Sequence, residues 1–245
     1  MILDLSVILP SYNEADNIVI LINKILANIP TNLDAEIILV DDNSPDGTCQ
    51  KVKDSFHDNG SVKTLLRTKD RGLANSIHAG IKIASGDKIL VMDTDMTHDT
   101  ELIPKLIHVS KMYIMVSGSR YCAGGDMEDK GHYYFSLIYN WIIRLLLNTQ
   151  VQDNLGGFFI MNRKDILRLP LDNIFYGFGD YYFRLIHYVQ RVGYNIVEIP
   201  TIYRLRHQGK SKTNNISILT LYTRSLLKFK YFITFTDPKN NKNNK

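Results

Sequence analysis

Four short apolar bursts divide the first part of the chain, and each runs into a polar turn followed by a helical pattern. They are Leu5 to Leu9, Glu36 to Val40, Val62 to Leu66 and Lys88 to Met92. Bursts of this length read as strands, whereas Ile18, Leu21, Ile22, Ile25 and Leu26 recur at the spacing of a helix's buried face. The turn Asp41 to Thr48 leads into a second helix reaching about His57. Gly72 opens a third through Ile77, Ile81 and Ala84, and Gly86 closes it. After a helix from Glu101, Tyr113 to Val116 predicts a further strand. Strands alternating with helices imply an α/β fold with a mainly parallel, doubly wound sheet. Ligands of such sheets bind beyond the carboxyl ends of the strands.

Three polar loops fall at those ends. They are Pro10-Ser11-Tyr12-Asn13-Glu14, the turn Asp41 to Thr48, and Asp93-Thr94-Asp95. Side chains at i and i+2 of an extended segment point the same way. Asp93 and Asp95 can therefore face one hard cation, Mg2+ or Mn2+, which one or two carboxylates hold together with substrate phosphate oxygens. A flat base near Tyr12 and sugar hydroxyls on Glu14 and Asp42 would complete a nucleotide-diphosphate site. Each loop alone is ordinary turn chemistry, since Asn13 and Asn43 suit helix caps and Pro45-Asp46-Gly47 suits a β-turn. Their order along the chain is what turns chemistry does not account for. Gly72 and Gly80 read as helix punctuation, because no Gly-x-Gly-x-x-Gly follows a strand.

The 245 residues are enough for one large α/β domain or a domain with a small appendage. Aromatic content of 10% and charged content of 22% exclude wholesale disorder. No apolar run reaches the ~18 residues of a membrane span. The opening Met1-Ile2-Leu3-Asp4-Leu5-Ser6 enters a strand without a basic leader, which predicts a cytosolic protein. Cys49 and Cys122 are isolated and predict neither a disulfide scaffold nor a thiolate metal site. The net charge of +4 hides an asymmetry. Residues 201–245 carry ten Lys/Arg against Asp237 alone, while the preceding residues hold 19 basic and 24 acidic side chains. A basic tail on an acidic body predicts an anionic partner such as phosphate or a lipid surface. A nucleic-acid-binding module is disfavoured, since the tail has no reader motif and the acidic body would repel a duplex.

The second half is less regular. Tyr133 to Asn148 reads as an amphipathic, aromatic-rich helix, and Asp153-Asn154-Leu155-Gly156-Gly157 leads into a strand from Phe158 to Met161. A helix from about Asp180 to Arg191, a strand from Asn195 to Ile199 and a helix from Ile216 to about Ile233 follow. The domain expectation is a catalytic unit over 1–215, an amphipathic C-terminal helix over 216–235 and a disordered tail over 236–245. The run Tyr133, Tyr134, Phe135, Tyr139 and Trp141 suits buried core or, beside the basic Tyr222 to Phe232 helix, a membrane interface.

The segments Pro10 to Glu14, Val40-Asp41-Asp42 through Thr48, Arg71 to Ala74, Met92 to His98, Ser117 to Tyr121, Arg206 and Gly209 to Lys212 together resemble the family-2 GT-A glycosyltransferases. Within that group the pattern is most similar to the polyprenol-phosphate (dolichol-phosphate) mannose synthases, over roughly residues 4–215. The resemblance implies a GT-A fold and transfer of a hexose, most often mannose from GDP-mannose, onto a polyprenyl phosphate at the cytosolic face of a membrane. It implies that Pro10, Tyr12, Glu14, Val40 and Asp42 hold the nucleoside, with Asp93, Thr94, Asp95 and Thr97 lining metal and diphosphate. Asp93, Asp95 and Thr97 would be the metal ligands, and Arg120, Arg206 and Lys212 would bind phosphate charge.

A phosphate-monoester acceptor is already ionised near neutral pH and needs cations more than a base. Asp95 and Arg120 would then carry the reaction through the metal and the phosphate charge. A sugar or protein hydroxyl would instead need a carboxylate base. Asp180, in Tyr176-Gly177-Phe178-Gly179-Asp180, stands where many family-2 enzymes with hydroxyl acceptors keep one, and is the candidate base of that alternative; with a phosphate acceptor its role is structural or on the acceptor side. Between Cys122 and His132 only Lys130 and His132 remain of the basic cluster expected before the amphipathic helix, and His98 adjoins the Asp-x-Asp.

Overall fold

A computed structural model describes residues 3–205 and 215–236. Among these residues the strands are β1 (Leu5–Ser11), β2 (Ala35–Asp41), β3 (Val62–Leu66), β4 (Lys88–Val91), β5 (Met115–Ser119), β6 (Asp126–Met127), β7 (Phe159–Asn162), β8 (Ile196–Pro200) and β9 (Ile202–Tyr203). The α-helices are α1 (Ile18–Asn28), α2 (Thr48–Ser55), α3 (Leu73–Ile83), α4 (Ile103–Val109), α5 (Lys130–Leu147), α6 (Arg163–Ile166), α7 (Leu171–Ile174), α8 (Tyr181–Arg191) and α9 (Asn215–Thr236). Seven strands form one sheet in the order β3-β2-β1-β4-β7-β5-β8, and β6 pairs with β9 apart from it.

Alternation along the strands builds a core on each face of the sheet. Leu5, Val7 and Leu9 of β1 meet α1 and α4 through Ile18, Leu21, Ile22 and Leu106. Ile8 points the other way and joins Ile77 and Ile81 of α3 with Leu185 of α8. Each such fully buried aliphatic side chain contributes about 1.5–3 kcal/mol through the hydrophobic effect. Gly80 lies inside α3 and is not helix punctuation. A Cβ there would come within 2.5 Å of Ile8 Cγ2, so its missing side chain lets α3 lie directly on β1.

One feature of the sheet departs from the parallel expectation. β7 enters between β4 and β5 and runs antiparallel to both. Its first residues therefore lie where the parallel strands end, and the Asp153–Gly157 loop is delivered to the carboxyl end of β4. The remaining neighbours β1–β2, β1–β4, β2–β3 and β5–β8 are parallel.

A third apolar cluster joins Tyr139, Ile143 and Leu147 of α5, Phe183 of α8, and Leu226, Phe229 and Ile233 of α9. Helix α9 is thus packed against the sheet's own helices. None of the described helices is long and apolar enough to cross a membrane. The expected disordered stretch falls, apart from Thr236, outside the described residues.

At the opposite end of the sheet from the polar loops, Glu36 is 1% exposed and accepts from Ser6 Oγ (2.6 Å), Ser85 N and Oγ (both 2.7 Å) and Lys63 Nζ (2.7 Å). Burial pushes its carboxyl up, but Lys63, Ser6 and Ser85 outweigh that and hold it at about 2, below its ordinary 4.5. A carboxyl depressed on folding stabilises the native state above its unfolded value, and the contribution is lost as pH falls from about 4.5 through 2. Glu36→Gln is expected to cost on the order of 2 kcal/mol at neutral pH, allowing for screening at the half-exposed Lys63. Melting curves between pH 6 and about 2 should be flatter for the variant than for the wild type. Parallel curves would show that Glu36 does not set acid stability.

Candidate active site

A cleft of about 650 Å3 opens at the carboxyl ends of β1, β2 and β4. Pro10, Tyr12, Glu14, Asp42, Asp93, Thr94 and Asp95 all line it, so the structure brings together all three polar loops. The first two loops are stitched to each other. Asn13 N donates to Ser44 Oγ (2.9 Å), Glu14 N to Thr48 Oγ1 (3.0 Å) and Ala15 N to Asp46 Oδ2 (3.0 Å). Asn13 and Asn43 both hold left-handed φ angles, 58° and 57°, a conformation Asn tolerates better than most residues.

Tyr12 carries the Arg71 guanidinium over its ring, 4.3 Å from the centroid. Asp42 explains why Arg71 is there. Its Oδ2 accepts from Gly72 N (2.6 Å) and its Oδ1 from Arg67 Nη1, and Arg67 in turn donates to Ser76 Oγ (2.7 Å) and to the Asp70 carbonyl (2.5 Å). Asp42 is 5% exposed and spends its carboxylate fixing the loop before α3. Asp42 thus lines the cleft, where sugar hydroxyls are expected, and also fixes the backbone beside Arg71. Val40 lies deeper: it is fully buried in the core against α3, and its side chain is not among those lining the cleft.

The Asp-x-Asp lies in the loop after β4. Asp93, Thr94 and Asp95 all line the cleft, and the mostly buried Thr94 donates to the Pro10 carbonyl (3.2 Å). Thr97 stands behind Asp95, its hydroxyl donating to Asp95 Oδ1 (2.6 Å), and it is not among the cleft-lining residues. His98 Nε2 lies 3.2 Å from Asp93 Oδ2. Among the described residues no three His, Cys, Asp or Glu side chains converge to hold a metal. The two carboxylates still fit a hard cation such as Mg2+ or Mn2+, whose remaining positions substrate phosphate oxygens and water fill.

Arg120 is not on the cleft surface. It is 5% exposed and grips Asp153 side-on, Nε to Oδ2 (2.8 Å) and Nη2 to Oδ1 (2.7 Å), with its own N–H also on Oδ2 (3.1 Å). Burial opposes the guanidinium's charge, but Asp153 more than offsets it and raises the pKa. Tyr203 covers the guanidinium at 4.8 Å. Arg206 and Lys212, expected to bind phosphate, lie outside the described residues.

Asp180 is also committed elsewhere. It is 3% exposed, and its Oδ1 accepts from Phe178 N (2.7 Å). Its Oδ2 accepts from Arg184 Nη1 and from Ser225 Oγ (2.6 Å) of α9. Arg184 is wholly buried, donates to the carbonyls of Ile174 (2.9 Å) and Tyr176, and lies 3.7 Å from the Tyr176 ring centroid. The neighbours Phe178, Gly179 and Tyr181 line the cleft, and Asp180 does not. The pairing gives Asp180 a structural place, neutralising Arg184 and tethering α9, and agrees with a structural role rather than with the candidate base of the hydroxyl-acceptor alternative.

Two contributors have no obvious mark in the sequence. Gly156 and Gly157 line the cleft because antiparallel β7 starts there, and Gly157 adopts φ 76°. Tyr222 of α9 also lines the cleft, and a Cβ on Gly179 would come within 2.1 Å of its hydroxyl. Burial holds the Tyr222 phenol protonated far above neutral pH.

The parallel sheet, the loop-lined cleft and the Asp-x-Asp at the end of β4 define an α/β protein of the GT-A fold. The chain belongs to glycosyl transferase family 2, whose profile matches residues 6–169. It is 36% identical over 220 residues to a dolichol-phosphate mannosyltransferase of Pyrococcus furiosus, covering 87% of this chain and 60% of the relative. It is 31% identical over 168 residues to a dolichol-phosphate mannosyltransferase of Saccharomyces cerevisiae, covering 67% and 62%. An undecaprenyl-phosphate mannosyltransferase of Micrococcus luteus matches at 30% over 214 residues, covering 84% and 85%. The chain spans about three fifths of the length of the first two relatives. Glucosyl-3-phosphoglycerate synthase from Mycobacterium tuberculosis, solved with Mn2+ and UDP-glucose, shares the fold with a TM-score of 0.71 at 18% identity, over 93% of this chain and 79% of that one.

Proposed function

We propose that this chain is an inverting, metal-dependent glycosyltransferase that moves mannose from GDP-mannose onto a polyprenyl phosphate at a membrane surface. The names of the mannosyltransferase relatives support the donor and acceptor classes. The observation that carries the choice of acceptor is the engagement of Asp180 with Arg184 and α9, away from the cleft. A phosphate oxygen attacks without a base, whereas a hydroxyl needs one.

In this reading Tyr12 and Arg71 present a flat cationic edge to the nucleobase, and Asp42 keeps that edge in place. Asp93 and Asp95 would hold the divalent ion, which when bound neutralises charge on the leaving diphosphate. The acceptor's phosphate oxygen forms its bond to the anomeric carbon as the bond to the donor diphosphate breaks, and the electron pair leaves on the diphosphate. Orientation and charge neutralisation then account for the rate. Arg206 and Lys212 are proposed to hold acceptor or donor phosphate.

The packed pair α5 and α9 supports the membrane surface. Tyr134, Ile138 and Trp141 are each 62% exposed, Tyr231 is 66% and Phe235 63%, and Arg144, Arg224, Lys228 and Lys230 are exposed with them. Basic residues near an anionic surface contribute on the order of 1 kcal/mol each. The test is a panel of nucleotide sugars offered with Mg2+ or Mn2+ to polyprenyl phosphate in anionic vesicles and to free hydroxyl acceptors. GDP-mannose with the vesicle-borne phosphate is expected to react fastest, with vesicle binding that weakens in salt. Transfer to the hydroxyl acceptors alone would overturn the reading.

A further inference from the structure

His98 sits in an aromatic box with no side-chain exposure. Its ring meets Phe158 edge-on at 4.8 Å and Tyr203 at 4.7 Å between centroids. Its Nε2 faces two oxygens, Asp93 Oδ2 at 3.2 Å and Tyr203 Oη at 3.3 Å. The tautomer follows from what those oxygens can do. The Tyr203 hydroxyl makes its close hydrogen bond to the Gly156 carbonyl, which only accepts, so its proton is spent there. Burial keeps that phenol protonated. The Asp93 carboxylate also only accepts, and Nε2 must therefore carry the hydrogen. Nδ1 is buried without a hydrogen-bond partner among the described residues.

Asp93 is the less constrained member of the Asp-x-Asp. Its side chain is 36% exposed, and among the described residues no group other than His98 hydrogen-bonds its carboxylate. Asp95, by contrast, is braced by Thr97 through both hydroxyl and backbone N–H.

We infer that His98, held by Tyr203 and Gly156, is a positioning residue that fixes the Asp93 carboxylate for the divalent cation and donor diphosphate. This rests on the metal-site reading above. A metal-binding carboxylate fixed by a hydrogen bond behaves as a preorganised ligand, and loss of such a partner typically costs about 10- to 100-fold in metal affinity. The same bonds tie Asp93 to the neighbouring Gly156 loop, which also lines the cleft.

The test is Mn2+ titration of the full chain in the presence of GDP, followed by electron paramagnetic resonance of free Mn2+, with circular dichroism confirming the folded state. His98→Ala should weaken Mn2+ binding by about 10- to 100-fold. His98→Gln, whose amide N–H can take the place of Nε2–H, should stay within a few-fold of wild type. Tyr203→Phe keeps the ring, removes only the hydroxyl, and should lose affinity several-fold in the same direction. It decides the matter if His98→Ala does not fold. A merely structural His98 would lower the melting temperature and leave Mn2+ affinity of the folded protein unchanged, which would overturn the inference alone. Wild-type protein that binds no Mn2+ with GDP would overturn the metal-site reading and this inference with it.

Discussion

Asp95→Asn is expected to abolish transfer while leaving the fold intact. The substitution removes one of the two carboxylates of the Asp-x-Asp and changes no core contact, since Asp95 lies in the loop after β4 and in none of the three apolar clusters. Metal stabilisation of a leaving group amounts to several kcal/mol, and ~4 kcal/mol is about a 10^3-fold loss in rate. Steady-state transfer with and without excess chelator measures it directly. The wild type should lose activity with chelator to the level of the variant. Full wild-type activity in chelator, or a variant within a few-fold of wild type, would remove the metal from the mechanism.

Asp180→Asn is expected to do the opposite, with a large loss of stability and a small change in chemistry. The carboxylate is the counter-charge of fully buried Arg184, and breaking a buried pair by removing one partner costs about 3–5 kcal/mol. For a domain of this size that lowers the melting temperature by roughly 10 °C. The variant also weakens the tether from Ser225, so α9 and Tyr222 should loosen. Single-turnover transfer by the folded fraction should stay within a few-fold of wild type. A general base lost from the same position would cost about 10^2- to 10^4-fold at unchanged stability. The two outcomes differ on both axes, so one melting curve and one rate constant decide between phosphate and hydroxyl acceptors.

How far the sequence discloses this depends on distance along the chain. The first four strands and their helices are legible because a strand's burial has period two and a helix's 3.6, and both are local signals. The direction of β7 is not. An apolar run such as Phe158 to Met161 reads the same for either orientation, and orientation fixed where Gly156 and Gly157 come to lie. The Asp-x-Asp is legible because both carboxylates stand in one segment. Asp42 is legible at the cleft, but its bond to Arg67, 25 positions away, is not. The pairing of Arg120 with Asp153, 33 positions on, is hidden for the same reason. The Asp180–Arg184 pair is different. Its i, i+4 spacing on a helix start is a readable sign of an ion pair, and it weighs against a free base.

The contribution of α9 to the cleft also sets an order of events in the folding of the chain. Leu5 pairs with Ala35 and Leu5 again with Lys88, so the donor half of the sheet assembles from segments that leave the ribosome close together. Tyr222 can take its place only after all of these, when α9 docks on α5 and α8. Such distant contacts form late because the chain must first close the intervening loop. Before docking, Tyr139, Phe183 and their neighbours form an apolar seam open to water beside a nearly finished sheet. A nascent chain in that condition is sticky, and its exposure lasts as long as the final helix takes to arrive.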